Sequence, residues 1–269
     1  MQLAFILGIG FLGLLIGSFL NVVIFRLPQM IDDSNNESSQ TALSLLLPPS
    51  HCPKCQHHIA WYHNIPVLSY LWLKGKCHHC RQKISLRYPT VELLTMVLSM
   101  AVAARFDLTY TAFGSLFLVW ALIALTFIDL DHTLLPDDIT LPLLWLGLIF
   151  NTYSVFTPPA SAILGAACGY LVLWTVYWLF KAVTHKEGMG YGDFKLLAML
   201  GAWLGWKALP FILVSSSLMG SIFGICLIIG KGKNKDTPIP FGPFLAISGL
   251  IALFWGPQLN DLYFRLIFR

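Results

Sequence analysis

Long apolar runs without a charged residue constrain this chain more than any other feature of its sequence. Four such runs, each of about twenty residues, lie at residues 3–25, 109–128, 160–180 and 208–230. A helix of about 20 apolar residues crosses the hydrocarbon core of a bilayer. Charged residues make up 11% of the 269 residues, whereas a soluble domain has about 25%. The sequence therefore predicts an all-α polytopic membrane protein and argues against a soluble enzyme.

Four shorter apolar segments raise the predicted number of transmembrane helices to about eight. They lie at residues 89–104, 139–156, 194–206 and 238–255. The third of these, the sixth predicted span, is the weakest because it is short and contains Lys195. No basic residue precedes the first run and Arg26 follows it, so we interpret that run as an anchor rather than a cleaved signal peptide.

The distribution of Lys and Arg predicts the orientation of these spans. Basic residues concentrate in cytoplasmic loops. With the N-terminus outside, thirteen of the 17 Lys and Arg residues fall on the cytosolic side, seven of them between residues 26 and 87. The bias predicts that both termini lie outside the cytosol. The net charge of +4 follows from this topology, so we expect no nucleic acid partner.

Two Cys-x-x-Cys pairs lie in residues 26–88, the largest predicted segment outside the membrane. Twenty-one residues separate the pairs, which are Cys52 with Cys55 and Cys77 with Cys80. In the reducing cytosol, four cysteines at this spacing predict a closed, structural Zn²⁺ site. His78 or His79 replacing one thiolate, and four reduced thiols without metal, are the alternatives. Residues 30–40 are polar and predict a flexible loop.

Five aspartates cluster at the predicted cytosolic ends of spans: Asp129, Asp131, Asp137, Asp138 and Asp193. Acidic residues beside membrane spans are costly and usually functional. Two carboxylates from different spans, one ionised and one protonated, can activate water and protonate a leaving amine. The glycines before Asp193, at 188, 190 and 192, allow a substrate backbone to come close.

Other interpretations of these acids stay open. Asp137 and Asp138 follow Pro136 and are candidate helix caps, and Asp193 alone is another. An ion or proton relay in a transporter would use the same acids. A zinc-stabilised membrane scaffold would need none of them.

Five motifs, in order along nearly the whole chain, resemble those of the type IV prepilin peptidases, also called leader peptidase/N-methyltransferases. They are GSFLNVVIFRLP at 17–28, the cysteine region at 52–92, FIDLDHTLLPDDITLP at 127–142, GMGYGDFKLLAMLGAWLGW at 188–206 and PIPFGPFLA at 238–246. The resemblance implies a Gly-x-Gly-Asp aspartyl protease of the bacterial inner membrane, with its active site facing the cytosol. Its substrates would be prepilins and pseudopilins, whose basic leader it removes after a glycine.

Carried onto this sequence, the resemblance implies that Asp129 and Asp193 form the catalytic dyad. Gly190, Gly192, Asp131, Asp137 and Asp138 would support the site or bind the substrate. Residues 240–243 form a wall or lip of the site, or else the start of a Pro-kinked helix.

The same resemblance implies N-methylation of the new terminus with S-adenosylmethionine as the methyl donor. Candidates for this activity surround the cysteine region: Gly17, Asn21, Arg26, Arg87, Tyr88 and Glu92. Alternatively, Arg26 and Arg87 anchor the topology and Asn21 packs between helices. The expected domains are a first helix at 1–25, a methylation-associated zinc domain at 26–88 and a peptidase domain at 89–269.

Overall fold

The computed structural model describes residues 2–35, 44–45, 47–52, 54–186, 188–231 and 240–267. The chain divides into two compact units, Met1–Ala124 and Leu125–Arg269. Within the described residues the regular structure is helical, apart from two isolated β-bridges. The predicted all-α fold is therefore confirmed.

The first unit contains helices α1 (Gln2–Asn35), α2 (Leu68–Trp72) and α3 (Arg87–Phe106), and the first part of α4 (Tyr110–His132). Helices α1 and α3 pack closely because glycines line the face of α1 that meets α3. A Cβ atom on Gly13 would lie 2.8 Å from Ser99 Oγ, and one on Gly17 would lie 2.8 Å from the Cα of Glu92. Small residues at such a seam let two membrane helices approach each other.

Helix α1 extends ten residues beyond the predicted end of the first span. The buried stripe of Leu20, Val23, Ile24 and Leu27 continues the helical spacing past residue 25. The prediction of a flexible loop at residues 30–40 is therefore wrong for residues 30–35, which are helical. Residues 36–40 lie outside the described part of the chain.

The second unit contains the end of α4 and helices α5 (Asp137–Thr152), α6 (Pro159–Thr184), α7 (Tyr191–Leu204), α8 (Leu209–Lys231) and α9 (Gly242–Ile267). Helix α7 lies at its centre, packed against α5, α6 and α9, with ten of its 14 residues buried. Helices α6 and α7 touch backbone to backbone where Gly165 meets Gly201. A side chain on either glycine would force these two helices apart.

Five helical segments are long and apolar enough to cross a membrane: Gln2–Asp33, Arg87–Phe106, Tyr110–His132, Pro159–Thr184 and Trp206–Leu227. Each of the three other predicted spans also coincides with a helix, namely α5, α7 and α9. At 1.5 Å per residue, α7 rises only about 21 Å, which is less than the roughly 30 Å hydrocarbon core. The multi-pass prediction is supported, and the count of eight crossings stays a prediction.

Candidate functional site

Asp129 lies near the C-terminal end of α4, where only 5% of the residue is exposed. Its Oδ2 atom accepts a hydrogen bond of 2.9 Å from the backbone N–H of Gly242, the first residue of α9. A Cβ atom on residue 242 would sit 2.6 Å from the same oxygen. The hydrogen bond therefore requires glycine at this position, and it brings the positive end of α9 to the carboxylate.

Asp193 lies in the first turn of α7, as the sequence predicted, and is 7% exposed. Gly190 is the N-cap residue of this helix, and its carbonyl accepts a hydrogen bond of 3.2 Å from the backbone N–H of Asp193. The carboxylates of Asp193 and Asp129 are close enough to interact electrostatically. Two acids that are 64 residues apart in the sequence are thus brought into one buried site.

Leu135 adjoins both halves of this site. A Cβ atom on Gly192 would lie 2.7 Å from the Leu135 Cβ atom, and one on Gly242 would lie 3.1 Å from its Cδ2 atom. By contrast, a Cβ atom on Gly190 would have only the Asp193 carboxylate within 4 Å, at 3.8 Å. Of the three glycines predicted to let a substrate backbone come close, Gly190 has open space beside it, whereas Gly188 is covered by Phe180 and Gly192 by Leu135.

The other three predicted acids are exposed. Both carboxylate oxygens of Asp137 accept hydrogen bonds of 2.7 Å from Lys195 Nζ, so an ion pair joins α5 to α7. The capping prediction for Asp137 and Asp138 is wrong, because Pro136 occupies the N-cap position and the two aspartates lie in the first turn. They still lie where the helix dipole favours negative charge.

The two Cys-x-x-Cys pairs form knuckles with the same backbone pattern. In the first, the N–H of Cys52 bonds to the carbonyl of His57 and the N–H of Gln56 bonds back to Cys52. In the second, Cys77 bonds to Gln82 and Arg81 bonds to Cys77 in the same way. One isolated β-bridge closes each knuckle, His51 with His58 and Lys76 with Lys83.

The four sulfur atoms fit one tetrahedral metal ion. All lie within 4.8 Å of one another, and the sulfurs of Cys52 and Cys80 are 3.9 Å apart. Zn–S bonds of about 2.3 Å place tetrahedral sulfurs roughly 3.8 Å apart. Burial raises the pKa of the Cys52 thiol, but hydrogen bonds from the backbone N–H groups of Cys55 and Lys54 lower it by more. The resulting pKa is about 7, below the ordinary value of 9.0. A lowered pKa favours the thiolate form of Cys52, which is the form that binds a metal ion.

A cavity of about 620 Å³ lies in the first unit beside the cysteine knuckles. Its lining includes four of the six candidate methylation residues, Asn21, Arg26, Tyr88 and Glu92. Of the other two, Gly17 lies in the seam between α1 and α3, and Arg87 is half-buried at the start of α3. The cavity has the size of a cofactor pocket.

Arg26 and Glu92 hold the walls of this cavity together. The buried Arg26 guanidinium donates to the carbonyls of Ser44, Leu45 and Pro48, at 2.9, 3.3 and 2.6 Å. Glu92 accepts a hydrogen bond of 2.8 Å from the N–H of Val67, a β-branched residue held at a φ of 60°.

Asn21 donates to the Tyr88 carbonyl at 3.1 Å. Asn21, Arg26 and Glu92 therefore each tie a helix to the chain that surrounds the cavity.

Sequence reasoning missed the roles of three residues in the second unit: Leu135, Lys195 and the amide of Gly242. The segment 240–243 was predicted to be a wall or a helix start, and α9 does begin at Gly242. Pro238 and Ile239, which begin that motif, lie outside the described residues. The order FGP could have signalled a helix start, but nothing in the sequence links that start to Asp129.

Family models match two parts of the chain. Residues 11–106 match the model described as the bacterial peptidase A24 N-terminal domain, and residues 116–225 match the type IV leader peptidase family. A search of the solved structures found no match.

Three relatives, each named prepilin leader peptidase/N-methyltransferase, align with almost the whole chain. The protein of Aeromonas salmonicida (strain A449) is 53% identical, over 94% of this chain and 92% of its own length. That of Pseudomonas aeruginosa is 52% identical over 98% and 94%, and that of Dichelobacter nodosus is 47% identical over 96% and 95%. These matches extend through both units, so this chain belongs to the type IV leader peptidase family.

Proposed function

We propose that this enzyme removes the basic leader from type IV prepilins and pilin-like proteins, with Asp129 and Asp193 as its catalytic dyad. The observation that carries the proposal is the pair of buried aspartates, which come from different helices and interact electrostatically. Relatives of about 50% identity bear the name prepilin leader peptidase. The three exposed acids then have supporting roles.

The proposed chemistry uses the two carboxylates in complementary protonation states. Ionising both in one buried site is costly, so the pair holds one proton between its members. The ionised member takes a proton from water while the water oxygen attacks the carbonyl carbon of the scissile bond. The protonated member donates its proton to the carbonyl oxygen, which gives a gem-diol. When the C–N bond breaks, the member that took the proton from water gives it to the leaving amine, and a gem-diol hydroxyl returns a proton to the other member, so the pair again holds one proton. The amide of Gly242 holds the Asp129 carboxylate in position, and the first turn of α7 holds that of Asp193.

We propose eight membrane crossings, with the dyad and the cysteine knuckles on the cytosolic side of the bacterial inner membrane. The excess of Lys and Arg in the predicted cytosolic loops supports this orientation. On this topology the end of α4 and the start of α7 lie at the same membrane face. A prepilin carries its apolar helix directly after the leader, so its cleavage point would reach that face, where the bond after a glycine is cut.

We further propose that the four cysteines bind a structural Zn²⁺ ion. Four thiolates leave no coordination position for a substrate, so the ion would stabilise the segment around the knuckles without taking part in catalysis. Proposed domain limits are 1–25, 26–88 and 89–269, with the peptidase in the last and the methylation-associated zinc module in the second.

Methylation of the new N-terminus is the second proposed activity, with S-adenosylmethionine bound in the cavity beside the knuckles. The ligand supplies a methyl group on a positively charged sulfur. The aromatic rings of Tyr62 and Tyr88 and the carboxylate of Glu92 line the cavity, and all three favour a cation. Asn21 and Arg26 would keep the cavity walls in place. Equilibrium dialysis with labelled S-adenosylmethionine tests binding independently of turnover.

The test of the peptidase is cleavage of a purified prepilin in detergent, followed by mass spectrometry of the product. We expect the wild type to release the leader, and Asp129→Asn and Asp193→Asn to lose cleavage while they still insert and fold. Asp107→Asn is the matched control, because Asp107 is an exposed acid at the end of α3 and belongs to no predicted site. With S-adenosylmethionine added, the product gains one methyl group.

Each alternative predicts a different result. Full cleavage by either Asn variant would remove that aspartate from the dyad. A transporter or a zinc-stabilised scaffold predicts no cleavage by folded wild-type protein.

A further inference from the structure

Leu135 is a loop residue that is buried as deeply as the catalytic candidates. It lies between α4 and α5 and is 7% exposed. Neighbouring contacts fix the loop at both ends. The N–H of Thr133, whose φ is 51°, bonds to the Asp129 carbonyl at 2.9 Å, and Pro136 begins α5 as its N-cap. The Leu135 side chain is thus held next to Asp129 by the residues before and after it in the loop.

The Leu135 side chain fills the space left by two glycines that flank the dyad. Gly192 immediately precedes Asp193, and Gly242 donates its amide to Asp129. Cβ atoms built on these glycines meet Leu135 at 2.7 and 3.1 Å, closer than ordinary van der Waals contact. The leucine therefore packs against the backbone on both sides of the two acids.

We infer that Leu135 walls the subsite for the substrate residue that precedes the cleaved bond and sets its size limit. The inference rests on the proposed function, in which that residue is a glycine and the next residue begins an apolar helix. A subsite that is already filled by a leucine side chain has room for glycine, which has no side chain, and not for a larger residue. An alanine there would place its methyl group against Leu135, because Asp129 and the glycine backbones leave the leucine little room to retreat.

A purely structural leucine predicts a different outcome from a specificity-determining one. If Leu135 only fills space, its truncation changes the cleavage of every substrate by the same factor. If it walls the subsite, truncation favours the larger substrate over the glycine substrate. The ratio of the two kcat/KM values therefore separates the alternatives, and a general loss of activity does not affect it.

The experiment compares prepilins with glycine or alanine before the cleaved bond. We expect Leu135→Ala to raise the alanine-to-glycine ratio of kcat/KM by at least about tenfold, since one methylene in a pocket is worth roughly 10–200-fold. Leu135→Val, a milder truncation, should raise it less and provides the answer if the alanine variant does not fold. Leu134→Ala, the same truncation at the preceding residue, should leave the ratio unchanged.

An unchanged ratio in the folded Leu135 variants, with the glycine substrate still cleaved, would overturn the inference. Failure of the proposed function is distinct, because wild-type protein would then cleave neither substrate.

Discussion

Adding a single methyl group at Gly242 tests how strictly the site depends on the position of Asp129. In Gly242→Ala the new Cβ atom would lie 2.6 Å from Asp129 Oδ2, whereas ordinary contact begins at 3.4 Å. The new methyl group would also lie 3.1 Å from Leu135, so it has little room to move away from the carboxylate. The carboxylate must therefore retreat by roughly 0.8 Å, the difference between 3.4 and 2.6 Å. A displacement of about 1 Å at a reacting group costs on the order of 10²-fold in rate.

We therefore expect Gly242→Ala to lower kcat for prepilin cleavage by about 10²-fold, with a smaller effect on KM. The assay is the rate of leader release in detergent over a range of prepilin concentrations, with the melting temperature measured in parallel. Gly256→Ala is the matched control, since Gly256 lies on the same helix and has nothing within 4 Å of its Cβ position. Wild-type kcat in a folded Gly242→Ala protein would refute the proposed role of the Gly242 amide.

Three further predictions concern the metal site and the packing of the second unit. Lowering the pH from about 7.5 to about 5 should release bound zinc, because protons compete for the thiolates; a chromogenic chelator measures the release, and zinc retained at the lower pH would contradict thiolate ligation. Cys80→Ser should lower the zinc content and methylation while cleavage continues, and equal loss of both activities in well-inserted protein would contradict this division. Asn151→Ala should lower the free energy of unfolding by about 3 kcal/mol, measured by denaturant titration. This Asn151 amide is buried, donates to the carbonyls of Ala202 and Trp203 and accepts two backbone N–H bonds, so a change below about 0.5 kcal/mol would show that water replaces them.

Features encoded by nearby residues could be predicted from the sequence. The apolar runs predicted the helices because each span carries its own hydrophobicity. Each Cys-x-x-Cys pair indicated two neighbouring metal ligands because both cysteines lie within four residues. The continuation of α1 past residue 25 was not predicted, because Arg26 was interpreted as a charge at the membrane boundary. Its guanidinium is instead buried and bonded to three carbonyls.

Contacts between distant parts of the chain could not be predicted in this way. Gly242 donates to an aspartate 113 residues away, and no local pattern identifies that partner. Leu135 looks like any other apolar loop residue until the packing of Gly192 and Gly242 against it is known. The identities of the two buried acids could be proposed from motifs, but the groups that hold them in place required the tertiary structure.

The burial of α7 also bears on how this protein is made. A short helix that contains Asp193 and Lys195 gains little from contact with lipid, because charged residues are unfavourable in an isolated inserting segment. Its favourable contacts come from α5, α6 and α9, the last of which is synthesised nearly forty residues after α7 ends. We therefore expect α7 to enter the bilayer together with its neighbours, so that the half of the site it carries forms only late in membrane insertion.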